Sequence, residues 1–370
     1  MENKKRSIIY HYSLPFNFDS PSGSGIRPVA MYNTFINLGY DVELVSGYTH
    51  EREKKIKKIK SDIKKGKKFE FCYSESTTMP LALTDLDHLP RRPLMDFRFF
   101  YFLKKNGVST GVFYRDIYWR FDNTSKRSLL HFFKKKAAKF FYLVELLCYR
   151  LSVKVIFLPS LKMSKYVPFI PEVMIHELNP GTTAIKTKVK KLDSKIEFLY
   201  VGGTTDFYNI DLLIEVVGKY FVNSINLTIC TRPSDAIYLA NRYNEFNTNL
   251  TIVSKKGEQL KSLYEASDCA CLYMLPTEYR NFSVPIKLFE YMSYGKPIIA
   301  SSNTWVGDFV QNNKLGWTVN YSESELIKII KKIVLNKEII KNLSISILDI
   351  AKEHTWEKRC KQVSIILSDM

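Results

Sequence analysis

Glu290 and Lys287 lie in the stretch NFSVPIKLFEYMSYGKPIIAS, residues 281–301, where residue types and spacing suit the holding of a polar ligand. Ser283 can act as an N-cap and Pro285 fits a first turn, where its missing N–H costs little. Gly295 and Pro297 forbid continuation, so Val284 to Tyr294 reads as one helix. Pro285, Leu288, Phe289 and Met292 then share one face, and Lys287, Glu290 and Tyr294 the opposite one. Lys296 to Ser301 follows as a short buried strand, which puts the polar face and the helix N-terminus at the edge of a parallel sheet, where such folds place ligands.

Three other stretches could carry chemistry. The strand Ser7 to Tyr12 leads into SPSGSGIRP within residues 20–29, and a helix runs from Arg27 or Pro28 to Leu38. Gly23 and Gly25 would let backbone N–H groups approach an anion or a sugar; a plain glycine-serine loop is the other reading. Val108 to Arg120 reads as a strand ending in Tyr114-Arg115-Asp116, and two adjacent charges directly after an apolar strand favour a site. Gly202-Gly203-Thr204-Thr205 follows the strand Ile196 to Val201, and Arg232 stands directly after the strand Ile225 to Cys230. Asp85-Leu86-Asp87 spells a D-x-D metal motif, but Pro80 and Pro90 bracket it and no strand leads into it, so it reads as acceptor contacts or plain loop and no metal is expected.

The elements that position these residues alternate strand and helix twice, with Thr182 to Lys195 as a linker lacking any apolar period. That pattern predicts an α/β protein of two doubly wound sheets. Six cysteines without metal or redox spacing read as core thiols, and no signal peptide or spanning segment is expected, which predicts a cytoplasmic protein.

Charge is unevenly divided. Residues 1–183 hold 31 Lys and Arg against 17 Asp and Glu, a net of +14, and residues 184–370 hold 24 against 20, a net of +4. The basic half calls for an acidic partner, and interleaved aromatics favour an anionic membrane over nucleic acid. Residues 51–68 carry ten Lys and Arg with Ile56, Ile59 and Ile63 at helical spacing, which reads as a solvated face or as a patch for anionic headgroups. Ser125 to Leu151 interleaves Lys134, Lys135, Lys136 and Lys139 with Phe132, Phe133, Phe140 and Phe141; an interfacial helix and a core helix with a basic outer face both fit.

The stretch 281–301 resembles the nucleotide-sugar-binding signature of retaining glycosyltransferases of the GT-B fold, in particular family GT4 (glycosyltransferase group 1). The resemblance implies two Rossmann-like domains facing a central cleft: 1–183 for the acceptor and 184–354 for the nucleotide sugar, with a terminal helix, 355–370, crossing back. It implies that Glu290 holds the ribose diol, that Ser283, Val284 and Pro285 lie against the diphosphate with Gly202 and Gly203, and that Gly23, Gly25 and Arg27 face the reaction centre, Arg27 towards a phosphate. Asp116 matches the acid of the family's polar pair at the donor sugar, with Arg115 in the place of a histidine. Phe282 stands where the family usually carries a second Glu, and Gly203 with Phe207 to Ile210 replaces the family's Arg and Lys, which leaves Arg232 and Lys287 to meet the diphosphate.

The resemblance further implies metal-independent transfer of a sugar from a UDP- or GDP-linked donor, without a cofactor, to a glycan hydroxyl. With the basic N-terminal half, the expected acceptor is an undecaprenyl-diphosphate-linked glycan of bacterial capsule or O-antigen assembly, met on the inner face of the cell membrane. The rival is a catalytically inactive GT-B scaffold that binds an active transferase.

Overall fold

The computed structural model describes residues 6–18, 23–121, 129–183, 194–204, 208–246 and 248–368. Thr205, Phe207, Ser20 and most of the linker lie outside the described residues. The chain forms two compact units, Met1–Asn179 with Trp356–Met370, and Pro180–Thr355, so the division falls at Asn179/Pro180 rather than at 183/184.

The first unit is built on β1 (Ser7–Tyr12), β2 (Asp41–Ser46), β3 (Phe71–Glu75), β4 (Ser109–Phe113), β5 (Val155–Leu158) and β6 (Ile175–Glu177), all parallel in the order β2-β1-β3-β4-β5-β6. Helices α1 (Gly23–Asn37), α2 (Thr49–Lys64), α3 (Met95–Lys105) and α4 (Leu129–Ser152) connect these strands, and the C-terminal helix Trp356–Ser368 packs on α1 and β4. Both faces of a parallel sheet are covered, so its central strands are buried and mostly apolar, with His11, Ser74 and Glu75 as buried polar exceptions. Tyr10, Phe35, Phe71, Tyr73 and Phe157 form the core with Trp356 and Val363 of the C-terminal helix.

A buried polar cluster ties four of these elements together. Arg52 of α2 makes two bonds to Asp96 of α3, of 3.1 and 3.0 Å, and donates to the carbonyls of Ser13 and Gly47 at 2.8 and 2.7 Å. His11 of β1 bridges Asp96 at 3.0 Å and Ser74 of β3 at 2.8 Å. Burial would raise the Asp96 pKa, but the Arg52 charge and the His11 bond outweigh it and hold the group at about 2. Burial pushes His11 below its ordinary value, keeping it neutral. Ser, His and Asp thus stand in the order of a proton relay, yet His11 and Ser74 are fully buried, so the chain of bonds fastens the fold and meets no substrate.

The basic stretch 51–68 becomes α2, whose Ile56 and Ile59 are buried against the unit. In α4, Tyr142, Glu145, Leu146 and Tyr149 face inward while Lys134, Lys136 and Lys139 are exposed, so this part is a core helix with a basic outer face. The side chains of Phe132 and Phe133 lie outside the described residues. Asp85 accepts the Thr49 N–H at 2.8 Å and Asp87 pairs with Arg91, so the D-x-D stretch serves local structure. Among the described residues no group of three His, Cys, Asp or Glu could hold a metal ion, and no helix is long and apolar enough to cross a membrane.

The second unit repeats the plan with β7 (Ile196–Val201), β8 (Ile225–Cys230), β9 (Leu250–Val253), β10 (Cys269–Leu272), β11 (Ile298–Ser301) and β12 (Gly316–Val319) in the parallel order β12-β11-β10-β7-β8-β9. Its helices are α5 (Asp211–Tyr220), α6 (Pro233–Arg242), α7 (Leu260–Ala266), α8 (Ile286–Ser293), α9 (Trp305–Asn312), α10 (Glu323–Leu335) and α11 (Glu338–Ala351).

One carboxyl in α4 makes the first unit sensitive to pH. Glu145 is 3 % exposed and accepts the Leu81 N–H at 2.6 Å; burial pushes its pKa up to about 8. A raised folded pKa contributes stability below the unfolded value and loses it as pH rises through about 8. Glu145→Gln keeps the acceptor and cannot ionise. It should therefore gain about 2–4 kcal/mol relative to wild type between pH 5 and pH 9, as measured by urea unfolding.

Candidate functional site

In the second unit the strand order reverses between β7 and β10, the switch point at which doubly wound sheets open beyond their carboxyl ends. The ladder between these strands covers Phe198 with Cys269 and Leu199 with Ala270, and beyond it the strands part. Side chains satisfy the backbone groups that this releases. On the β10 side of β7 the Val201 N–H donates to the Tyr291 hydroxyl at 2.8 Å; on the other edge of β10, beyond its ladder with β11, the Ser301 hydroxyl takes the Met274 N–H at 2.8 Å and donates to the Met274 carbonyl at 2.6 Å. The Tyr200 hydroxyl folds back to the Gly203 carbonyl at 2.5 Å. A Cβ on Gly202 would stand 2.8 Å from that hydroxyl, so a side chain there would displace the tyrosine from the loop.

Two hydroxyls flank this opening. The Oγ1 of Thr204 and the Oγ of Ser283 are buried without a hydrogen-bond partner among the described residues. Ser283 is therefore no N-cap. Pro285 takes that position with φ −77° and ψ 136°, and α8 starts at Ile286, two residues later than the sequence suggests, because proline is compatible with the extended cap geometry. Val284 packs against the core of the unit.

Tyr291 anchors α8 to β7 from its buried side, which fixes the register of Lys287 and Glu290 on its other side. Lys287 donates to Glu290 Oε2 at 2.5 Å and to the Tyr264 hydroxyl at 3.1 Å, and Tyr264 also donates to Oε2. Burial, then the Glu290 charge, pushes Tyr264 far above its ordinary pKa, so it remains a neutral donor. The carboxylate keeps 20 % side-chain exposure, and both bonds fall on one oxygen. Tyr294, expected on the polar face, is 8 % exposed and packs on Tyr264 with ring centroids 4.8 Å apart. The polar face is thus narrower than its periodicity implies.

Arg232 is exposed at the start of α6. A cation that the sequence did not single out stands at the glycine loop: Arg280, 3 % exposed, lies 4.3 Å over the Tyr208 ring and lowers the hydroxyl pKa of Tyr200 against the larger effect of burial. Its signal was only a basic residue six positions before α8, which no periodicity marks.

In the first unit the corresponding reversal falls between β1 and β3. Gly23 and Gly25 are the first turn of α1 and not a loop, and Gly25 lines a cavity of about 230 Å³ with Tyr12, Phe16, Asn17 and Pro28. Arg27 does not reach out towards a phosphate. It is 2 % exposed, bonded to Glu75 at 3.0 Å and to the Tyr73 hydroxyl at 3.3 Å, and its guanidinium lies 3.5 Å over the Phe113 ring. A buried guanidinium needs a counter-charge, and Glu75 supplies it. Glu75 also lies 3.5 Å from Arg115 Nη2. The Arg115 N–H donates to the Ser76 hydroxyl at 2.9 Å, and Asp116 Oδ1 takes the Ile117 N–H at 2.7 Å, so Arg115 and Asp116 sit just beyond β4 on a loop fixed by these bonds.

Comparison with known proteins agrees with this fold. Residues 195–336 match the family described as Glycosyl transferases group 1. No curated protein sequence matches the chain. Among solved structures, sucrose-phosphate synthase from Thermosynechococcus elongatus is similar at 13 % identity, covering 98 % of both chains with a TM-score of 0.65. HepE of Anabaena, solved in complex with UDP, is similar at 10 % identity over 99 % of this chain and 100 % of its own, TM-score 0.65. WaaG, a glycosyltransferase involved in lipopolysaccharide biosynthesis, gives 12 % identity over 98 % and 100 % with a TM-score of 0.61. These likenesses establish the fold, GT-B with two Rossmann-like domains.

Two substitutions test the roles assigned to buried groups. Arg27→Ala leaves Glu75 without its bonded counter-charge, and urea unfolding should show a loss of about 3 kcal/mol or more. Tyr291→Phe leaves the Val201 N–H unpaired, and the same measurement should show a loss of about 1–3 kcal/mol.

Proposed function

We propose that the protein is a retaining glycosyltransferase that moves a sugar from a nucleotide-diphosphate sugar to a hydroxyl of a glycan acceptor. The observation that carries this reading is the Glu290 carboxylate, held through one oxygen by Lys287 and Tyr264 on a helix pinned at the switch point. Such a carboxylate can accept both hydroxyl protons of a ribose diol, in charge-assisted bonds of about 1.5–3 kcal/mol each. The match of residues 195–336 and the UDP bound by HepE support it.

In this reading the diphosphate lies against the Gly202-Gly203 loop and the start of α8, with the Thr204 and Ser283 hydroxyls as further donors. Arg280 joins Arg232 and Lys287 as the cations able to stabilise its departing charge. The acceptor oxygen bonds to the anomeric carbon on the face the diphosphate leaves, and the departing phosphate oxygen takes the acceptor proton, so configuration is retained without a protein nucleophile or a metal. Asp116 and Arg115 act near the sugar. The acceptor fits an undecaprenyl-diphosphate-linked glycan of capsule or O-antigen type, taken up by a protein peripheral to the inner face of the cell membrane.

Phe282 favours a second reading. It is 1 % exposed and packs on Tyr279 with ring centroids 5.3 Å apart, so it lies in the interior and offers a sugar no polar contact. An inactive scaffold would look the same at that position.

Thermal shift with UDP, GDP, ADP and CMP and their common sugars separates the two readings. One nucleotide should stabilise wild type by about 2.7 kcal/mol at a hundredfold excess over its Kd, and Glu290→Ala should lose tenfold or more in affinity. If none stabilises wild type, the donor site is not functional and the scaffold reading takes its place.

A further inference from the structure

Away from both switch points, the first unit has a groove of about 410 Å³ between α2 and the segment entering α3. Five cations line it, Lys57, Lys60, Arg91, Arg92 and Arg98, against one acid, Glu53. Ile56, Pro93 and Met95 give it an apolar floor. Glu53 pairs with Lys57 at 3.0 Å and with Arg92 at 3.1 Å, and Arg91 is held by Asp85 and Asp87. Lys60 and Arg98 have no acidic partner among the described residues. Partial burial and the repulsion of Lys64 and Arg98 push the Lys60 pKa down, so like charges are gathered here at a cost that an anion would relieve.

A second observation fixes what kind of anion. Leu94 in its lining is 42 % exposed, and Leu86 and Leu89, in the segment that leads into it, are 80 % and 55 % exposed. Large apolar side chains exposed in a cationic recess and in the segment leading into it suit a surface that is charged at headgroup depth and apolar below it. A soluble phosphate would use the cations and leave the leucines in water.

We propose that the groove between α2 and α3 binds the phosphate headgroup of an anionic membrane lipid, with Leu86, Leu89 and Leu94 entering the acyl boundary. This places membrane contact at one built recess, apart from the lysine-rich outer face of α4, and it does not depend on transferase activity.

Vesicle sedimentation of the full chain at 150 mM salt tests it, with phosphatidylcholine alone and with about 30 mol % phosphatidic acid added. Each basic residue near such a surface is worth about fivefold, so Lys60→Gln with Arg98→Gln should weaken binding about thirtyfold. Lys134→Gln with Lys136→Gln, an equal loss of charge on α4, should change it less than twofold. Leu86→Ser with Leu89→Ser should weaken binding to the acidic vesicles while leaving the melting temperature unchanged. Equal losses from the two charge pairs would overturn the proposal in favour of diffuse attraction. So would unaltered binding by the leucine variant, or protection by free pyrophosphate of a protein that does not sediment with vesicles.

Discussion

Parallel strands that part company must satisfy the backbone groups their ladder no longer pairs, and in the second unit this constraint organises everything around the site. Past Leu199 and Ala270 the N–H of Val201 turns to Tyr291, and past Leu272 and Ala300, where the ladder of β10 with β11 ends, the amide of Met274 closes on Ser301. The first of these bonds also ties α8 to the sheet, beside the apolar packing of Leu288, Phe289 and Met292. Because Glu290 precedes Tyr291 in a helix, a tyrosine buried on one side dictates where a carboxylate stands on the other. Placement of the polar group is thus a consequence of sheet topology, to which one hydrogen bond between a side chain and the backbone and the buried apolar face of α8 both contribute.

The first unit handles charge in two distinct ways. Inside, each cation named in the buried clusters has a carboxylate within bonding distance: Arg27 with Glu75, Arg52 with Asp96. Removing either partner would strand a charge in a medium of low dielectric, so these pairs fix geometry at the ends of β1 and β3 and leave no charge to offer a ligand. Outside, the excess of basic residues remains on α2, α3 and α4. A net charge read from sequence merges the two populations, although only the second can act on a partner.

That distinction also marks what was legible in the sequence. Ile196–Val201, Ile225–Cys230 and Cys269–Leu272 form strands with the bounds their apolar runs suggest, since the short buried strands of a parallel sheet have few other uses for such residues. The stretch around Glu290 was legible because proline, glycine and the apolar face of α8 all act locally. Arg27 was not, because its partners Glu75 and Tyr73 lie more than forty residues away and only the sheet brings them together. Tyr264 was missed for the same reason: it meets Glu290 across a separation of 26 residues. Gly23 and Gly25 read as loop because their low helix propensity outweighs the signal of one helical turn, yet α1 continues back through them.

Ser283 shows how a wrong local assignment can still pick out a residue in an unusual environment. Serine ahead of a helix is read as a cap because its oxygen can accept one of the free N–H groups of the first turn. Here Pro285 stands between Ser283 and the helix as the cap residue, and the Ser283 oxygen is buried with no partner among the described residues. A hydroxyl removed from water without a bond costs about 1–3 kcal/mol, and Thr204, on the loop after β7, bears the same cost. Packing alone does not call for these two hydroxyls, since valine at 204 would fill nearly the same space and alanine at 283 would lose little volume, both without the penalty. They are explained if the groups that complete them belong to a ligand, and a diphosphate has the acceptor oxygens that both hydroxyls need.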